Sequence, residues 1–336
     1  EHGGTENLIY GDRPEPEPGP GEVRVRLKTA ALNHLDLFVL GGIPGIPIGL
    51  PHIGGADGAG VVDAVGAGVD SAKVGAEVVF DPGLSCGRCE YCLGGEQSLC
   101  VRFGVLGEHN DGTLAEAVVV AADSLAPRPS HLSWAESAAF GLTFLTSWRM
   151  LIHRGGLRPG ETVLIHGIGG GVSLACLQLA KLVGARVIAT SRSESKLQRA
   201  LELGADETLI ADDQVARAVR GLTAKRGADV VVDSVGEATW MQSLKAAAKG
   251  GRIVTCGATS GPNPAEEIRL IFWNQLSIIG STMGSRDDWR QLVSAVGTHG
   301  LRPVVDTEML LAEGKTAYER LERADQFGKI VLTIDG

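Results

Sequence analysis

Four cysteines carry the densest chemistry in the chain. Cys86, Cys89, Cys92 and Cys100 are spaced C-x2-C-x2-C-x7-C inside PGLSCGRCEYCLGGEQSLC. Four thiolates on one short glycine-rich lobe suit a tetrahedral zinc ion, with Zn–S distances near roughly 2.3 Å and no coordination position left open. Such a closed site holds a loop in shape and performs no reaction. Two other readings compete. Disulfides need an oxidising compartment, and an iron–sulfur cluster serves redox roles that no other feature of the chain suggests. Structural zinc, one per chain, is the expectation.

The second chemical feature is Gly167-Ile168-Gly169-Gly170-Gly171-Val172-Ser173. An apolar run at 162–166 precedes it. Val172, Ala175, Cys176, Leu179, Ala180 and Val183 follow at helical spacing. A glycine-rich turn from strand to helix lets the backbone approach a pyrophosphate at the positive end of the helix. As a bare string the motif is weak; flanked by strand, helix and a second strand at 186–190, it points to a dinucleotide. Ser173 stands where the last glycine is expected, which predicts slightly looser packing of helix on strand. Beyond the second strand come Thr190-Ser191-Arg192-Ser193 and Lys196. An acid there would hold the ribose hydroxyl of NAD, whereas Ser191, Arg192 and Lys196 suit the 2′-phosphate of NADP. A solvated helix start is the plainer alternative for these charges.

The elements that must position these groups fall into two styles. Residues 22–30 alternate Val23, Val25, Leu27 with Arg24, Arg26, Lys28, which is a strand with one wet face. Segments 60–66, 77–81 and 115–125 also read as strands, separated by glycine or proline, so the first part is a compact β-rich domain. The proline-rich stretch 14–20 reads as a stiff loop. The capping box Ser133-Trp-Ala-Glu136 starts a helix running to about residue 151. From there strands at 162–166, 186–190, 230–233, 252–256 and 276–281 alternate with helices, the pattern of a doubly wound parallel sheet. The end, with Pro303-Val-Val and Lys329-Ile-Val-Leu, is expected to return to the first domain as closing strands. The boundaries this predicts are 1–128, 129–285 and 286–336.

Length and composition are consistent with this division. A chain of 336 residues leads one to expect about two domains. With 44% hydrophobic and 21% charged residues it has the balance of a soluble globular protein. A net charge of −9 argues against a nucleic-acid binder. No apolar run approaches the ~20 residues of a membrane span, and no signal segment is seen at the start. Cys176 and Cys256 lie in apolar stretches and read as buried, inert thiols. A cytoplasmic protein is the simplest reading.

Together these motifs resemble the medium-chain dehydrogenase/reductase superfamily, which includes zinc alcohol dehydrogenases and quinone oxidoreductases. The likeness covers essentially the whole chain. It rests on Pro-Glu-Pro-Gly-Pro-Gly-Glu-Val at 16–23, Asn33-His-Leu-Asp36, Gly55-Ala-Asp-Gly-Ala-Gly60, the cysteine lobe, the glycine turn and Gly328-Lys-Ile-Val331. The resemblance implies a GroES-like catalytic domain, a Rossmann domain, a homodimer or homotetramer, and a small-molecule substrate. It also implies a start several residues earlier than Glu1.

The departures from the family pattern narrow the chemistry. Zinc alcohol dehydrogenases hold a catalytic zinc with a cysteine, a histidine beside an acid, and a later cysteine or acid. The matching places here carry Asn33, Ala56 and Leu142, with Asp57 as the acid. Alanine and leucine cannot bind zinc, and asparagine is a poor ligand for it. A different metal site built from His34, His52 and His109 is the alternative. Without a catalytic metal, the easier reaction for NADPH is hydride delivery to a conjugated alkene or a quinone. In the quinone oxidoreductase branch an asparagine and an aspartate sit at the places of Asn33 and Asp36. By that resemblance Asn33 donates to a substrate carbonyl; a helix cap is its plainer role. Thr146 matches a family threonine near the nicotinamide, and Gly257 follows a later strand at the edge where the dinucleotide lies. The rival readings are a carbonyl reductase or alcohol dehydrogenase, and a non-catalytic NADPH-binding protein.

Overall fold

The structure, a computed structural model, describes residues 2–70 and 72–334. Its contacts divide the chain into two units, Glu1–Leu142 with Gly284–Gly336, and Thr143–Met283. The first boundary therefore lies beyond the 128/129 position read from the sequence. The reason is the Ser133-capped helix, Trp134–Ala138, which packs on the strands Glu22–Ala31 and Asp57–Val65 and so belongs to the first unit.

The first unit is a seven-stranded sheet. Its order is Val305–Leu310, Lys329–Thr333, Glu22–Ala31, Asp57–Val65, Glu77–Phe80 and Leu125–Pro127, with Ala117–Ala121 paired to Glu22–Ala31 off this path. The return segment thus supplies two strands, and Ala31 pairs with Val331. The alternation at 22–30 does what its pattern requires. Val23, Val25 and Leu27 are buried, while Arg24 and Arg26 on the other face bond Asp63. A small hairpin of Gly83–Leu84 and Gly104–Val105 carries the cysteine lobe.

The second unit is a six-stranded parallel sheet ordered Glu207–Ile210, Arg186–Ser191, Thr162–Ile165, Ala228–Asp233, Ala247–Thr255, Ser277–Gly280. That is the doubly wound Rossmann order, with the chain reversing direction across the sheet beside Thr162–Ile165. Leu164, Ile188, Val231 and Ile253 fill one face, against Val219 and Leu244 of flanking helices.

Two expected elements are broken. The 133–151 helix is two helices, Trp134–Ala138 and Gly141–Trp148, followed by a π-helical turn at Arg149–Arg154. A side chain at Gly141 would meet Asp57 Oδ1 at 2.6 Å, so the second helix starts on a backbone pressed against a carboxylate. The 115–125 strand is interrupted by a 3-10 turn at Ala122–Ser124, tied by the Ser124 hydroxyl donating to the Ala121 carbonyl.

Candidate active site and cysteine lobe

In the first unit, four side chains from three separate segments form one buried polar cluster. Asn33 caps the helix His34–Gly41, and its N–H donates to Asp36 Oδ2 at 2.6 Å, a capping box that fixes both residues. The other Asp36 oxygen accepts the Gly55 N–H at 2.9 Å. The Asn33 amide nitrogen donates to Asp57 Oδ2 at 2.9 Å and, weakly, to the Ala31 carbonyl at 3.4 Å. Asp57 Oδ1 accepts the Leu142 N–H at 2.6 Å. The sequence reading did not include the fourth member. Lys329 directs its ammonium to Asp57 Oδ2 at 2.9 Å and to Asn33 Oδ1 at 2.5 Å. Asn33, Asp36, Asp57 and Lys329 are all buried, none more than 6% exposed. Burial at this depth demands pairing, and each charged group has its partner.

The places that resemble zinc-ligand positions therefore converge on one carboxylate. Asn33 bonds Asp57, Ala56 precedes it, and the Leu142 backbone donates to it. Their side chains are an amide, a methyl and a butyl group, and an ammonium stands within hydrogen-bonding distance of the amide oxygen. These residues do not fit a catalytic zinc ion.

Glycines shape the loop around this cluster. Gly55 has φ +95°, and a Cβ there would lie 2.5 Å from Thr113 Oγ1 and 2.9 Å from the Leu114 nitrogen. Gly112 touches the same backbone, where a Cβ would fall 2.0 Å from the Gly55 carbonyl oxygen. Burial pushes the Asp36 carboxyl up to about 6, against the lowering effects of its two backbone N–H bonds and the Lys329 charge. Burial, helped by the Asp36 charge, holds the Tyr318 phenol well above its ordinary value, so it is a neutral hydroxyl.

The three loop histidines do not gather. His52 bonds the Gly107 carbonyl at 2.9 Å, His109 accepts the Val105 N–H, and His34 meets the edge of Phe38. Among the described residues, the one group of three or more potential ligands that converges is Cys86, Cys89, Cys92 and Cys100. Their sulfurs lie within 4.8 Å of one another, close to the roughly 3.8 Å edge of a tetrahedron with ~2.3 Å Zn–S bonds. The N–H groups of Cys86 and Arg102 donate to Cys100 Sγ. All four are free thiols. The donor set fits zinc. At its base the buried pair Arg286–Asp81, 2.5 Å apart, is joined to the lobe by the Arg286 N–H donating to Gln97 Oε1.

The second unit holds the glycine turn. Gly167 and Gly169 have φ +69° and +119°, values that favour glycine, and the helix Gly171–Val183 begins directly after Gly170. Ser173 does not loosen the packing. It is buried, and its hydroxyl donates to the carbonyls of Gly167 and Gly170, both at 2.9 Å, drawing the turn closed. Ile168 donates its N–H to the Thr190 carbonyl, tying the turn to the second strand. Ser191 ends that strand and accepts the Ser193 N–H; Arg192 is exposed and Lys196 lies in the following helix. Gly257 follows the Ala247–Thr255 strand. The buried hydroxyl of Ser281 has no partner among the described residues. Positive-φ glycines before a helix start and an orphaned hydroxyl near the strand ends fit a bound dinucleotide. Thr146 also lies in this unit, with Oγ1 3.7 Å from Met283 Sδ. Asp233, which the sequence reading used only as a strand end, organises the turn after its strand. It accepts from Val235, Gly236, Thr239 and Ser243.

A two-unit fold with a cysteine lobe and a nucleotide-type glycine turn defines a class of nicotinamide oxidoreductases. The comparisons agree with this class. A family model described as alcohol dehydrogenase GroES-like domain matches residues 19–130, and one described as zinc-binding dehydrogenase matches 171–298. An alcohol dehydrogenase of Geobacillus stearothermophilus is 33% identical, covering 92% of this chain and 91% of its own length. A quinone oxidoreductase of Pseudomonas aeruginosa is 33% identical, covering 98% and 97%. A crystal structure described as an NAD-dependent alcohol dehydrogenase is 50% identical with TM-score 0.95, covering 100% of this chain and 98% of its own. The chain belongs to the medium-chain dehydrogenase/reductase superfamily and is an NAD(P)H-dependent oxidoreductase.

Proposed function

We propose that the enzyme uses NADPH to reduce a carbon–carbon double bond conjugated to a carbonyl, or a quinone, without a catalytic zinc ion. The observation that carries this reading is that Asn33, Ala56 and Leu142 stand at the three ligand places, while the one carboxylate beside them, Asp57, is taken up by the Asn33 amide, the Leu142 N–H and the Lys329 ammonium. Alcohol oxidation needs a Lewis acid or a base to stabilise an alkoxide. A conjugated acceptor spreads the developing charge itself, so the protein has only to position it, donate hydrogen bonds to its oxygen and admit a proton to the enolate that hydride addition leaves. When bound, NADPH would supply the hydride, and water would supply the proton that completes the saturated product. Asn33 offers the amide N–H now resting on the Ala31 carbonyl at 3.4 Å, a contact weak enough for a substrate oxygen to replace. Asp36 holds the Asn33 backbone, and Thr146, in the other unit, is assigned to the nicotinamide.

The choice of NADPH rests on Ser191, Arg192 and Lys196. The relative described as NAD-dependent speaks for the other nucleotide, and Arg192 is where the two readings part. Gly167 to Val172 and Gly257 receive the cofactor. Structural zinc is assigned to Cys86, Cys89, Cys92 and Cys100. A homo-oligomer, dimer or tetramer, is supported by the edge strand Ser277–Gly280 and by the exposed Ile268, Phe272 and Trp273 of the preceding helix. Work in the cytoplasm is part of the same reading, since a reducing compartment keeps the lobe's thiols available for a metal.

The test is product analysis with NADPH and a short 2-alkenal, which presents both a C=C and a C=O bond. The expected product is the saturated aldehyde. An allylic alcohol would establish carbonyl reduction instead, the activity that the alcohol dehydrogenase relatives suggest. Tight NADPH binding with negligible turnover across a range of enal, quinone and carbonyl acceptors would establish a binding protein.

A further inference from the structure

Resting on the reading above, we propose that Lys329 is the positioning residue of this site. Its ammonium locks the Asn33 carboxamide in the one orientation that presents an N–H to a substrate oxygen.

An amide has an acceptor oxygen and a donor nitrogen of nearly equal size, and only its partners decide which way it points. Asn33 is bracketed by two groups that leave no choice. On one side is an ammonium, which can only donate, 2.5 Å from Oδ1. On the other is a carboxylate that accepts the Leu142 N–H on Oδ1 and meets Nδ2 through Oδ2 at 2.9 Å. Flipping the amide would set N–H against ammonium and oxygen against carboxylate. The same ammonium bonds Asp57 at 2.9 Å, so one cation fixes both the amide and the anion that steadies it. Donation into Oδ1 also polarises the amide and strengthens what its N–H can give to an acceptor. No other basic residue bonds Asn33 or Asp57 among the described residues. Lys329 is held for this task by its own backbone, whose N–H donates to the Val304 carbonyl.

Three variants and two readouts test this. K329M removes the clamp, K329R keeps its charge, and K329M/D57N removes both charges so that no buried carboxylate is left unpaired. The 2-alkenal assay with NADPH is expected to show kcat reduced about 100-fold in K329M and K329M/D57N, as for loss of an oriented oxyanion donor. The KM for NADPH should stay within about threefold and thermal unfolding of the double variant should remain cooperative, with K329R restored to within about tenfold of wild type. A folded double variant with kcat within about threefold of wild type would overturn the proposal.

The second readout does not depend on turnover. In protein labelled with 15N-asparagine there are five side chains to observe, Asn7, Asn33, Asn110, Asn263 and Asn274. The Asn33 amide pair is expected to be slow to exchange with solvent in wild type and K329R, and fast in K329M. If wild type reduces neither the C=C bond of the 2-alkenal nor a quinone, the proposed function falls and this spectrum alone decides the clamp. An Asn33 pair equally protected in wild type and K329M would reject it.

Discussion

Replacing Cys92 by serine is expected to strip the enzyme of zinc and melt the lobe at 86–100. The buried Cys92 is one of four sulfurs that converge, and no disulfide joins any of them. Structural zinc sites contribute about 10–16 kcal/mol of apparent binding free energy in small zinc peptides. No single hydrogen bond in this lobe approaches that, since a net contribution is nearer ~1 kcal/mol each. The Gly83–Leu84 and Gly104–Val105 hairpin should hold the stem while the lobe opens. Hydrogen exchange followed by mass spectrometry should show protection lost across 86–100 in C92S. The Thr162–Ile165 and Ala228–Asp233 strands, which have their own core, should keep theirs. Full zinc content and unchanged exchange in C92S would remove the lobe's structural role.

Arg192→Ala is expected to weaken NADPH selectively. A charged hydrogen bond to phosphate is worth about 1.5–3 kcal/mol, so kcat/KM for NADPH should fall about 10- to 100-fold. For NADH it should change less than about threefold, because the 2′-hydroxyl gives the guanidinium no charge to meet. Steady-state kinetics with both nucleotides decide it. Equal losses would mean that Arg192 does not read the 2′-phosphate, and would favour NAD, the nucleotide of the 50% identical relative.

How much could be read in advance depended on how local each feature is. The cysteine lobe and the glycine turn are short strings whose spacing is itself the geometry, and both take the form their sequence implied. The alternation at 22–30 placed its valines inward for the same reason. Ser173 was legible as a departure but not in its effect, because its bonds to the Gly167 and Gly170 carbonyls depend on the turn already being folded. The 133–151 helix broke where the chain meets Asp57, a residue far away in sequence. Lys329 was the largest omission. It lay in an apolar run that reads as a buried strand, and its partners Asn33 and Asp57 are 296 and 272 positions away. One signal was available. A lysine inside a buried strand must find an anion, and Asp57, an acid in an equally apolar glycine-rich segment, needed a cation.

If catalysis proceeds without a metal at Asn33 and Asp57, as proposed, counting the metal in fully active enzyme will show it. Purified without chelators and analysed by plasma mass spectrometry, the protein is expected to carry one zinc per chain. Added zinc or cobalt should leave the NADPH-dependent rate unchanged. A second equivalent of metal whose removal abolishes activity, and which N33A fails to bind, would mean that a metal at Asn33 carries the catalysis.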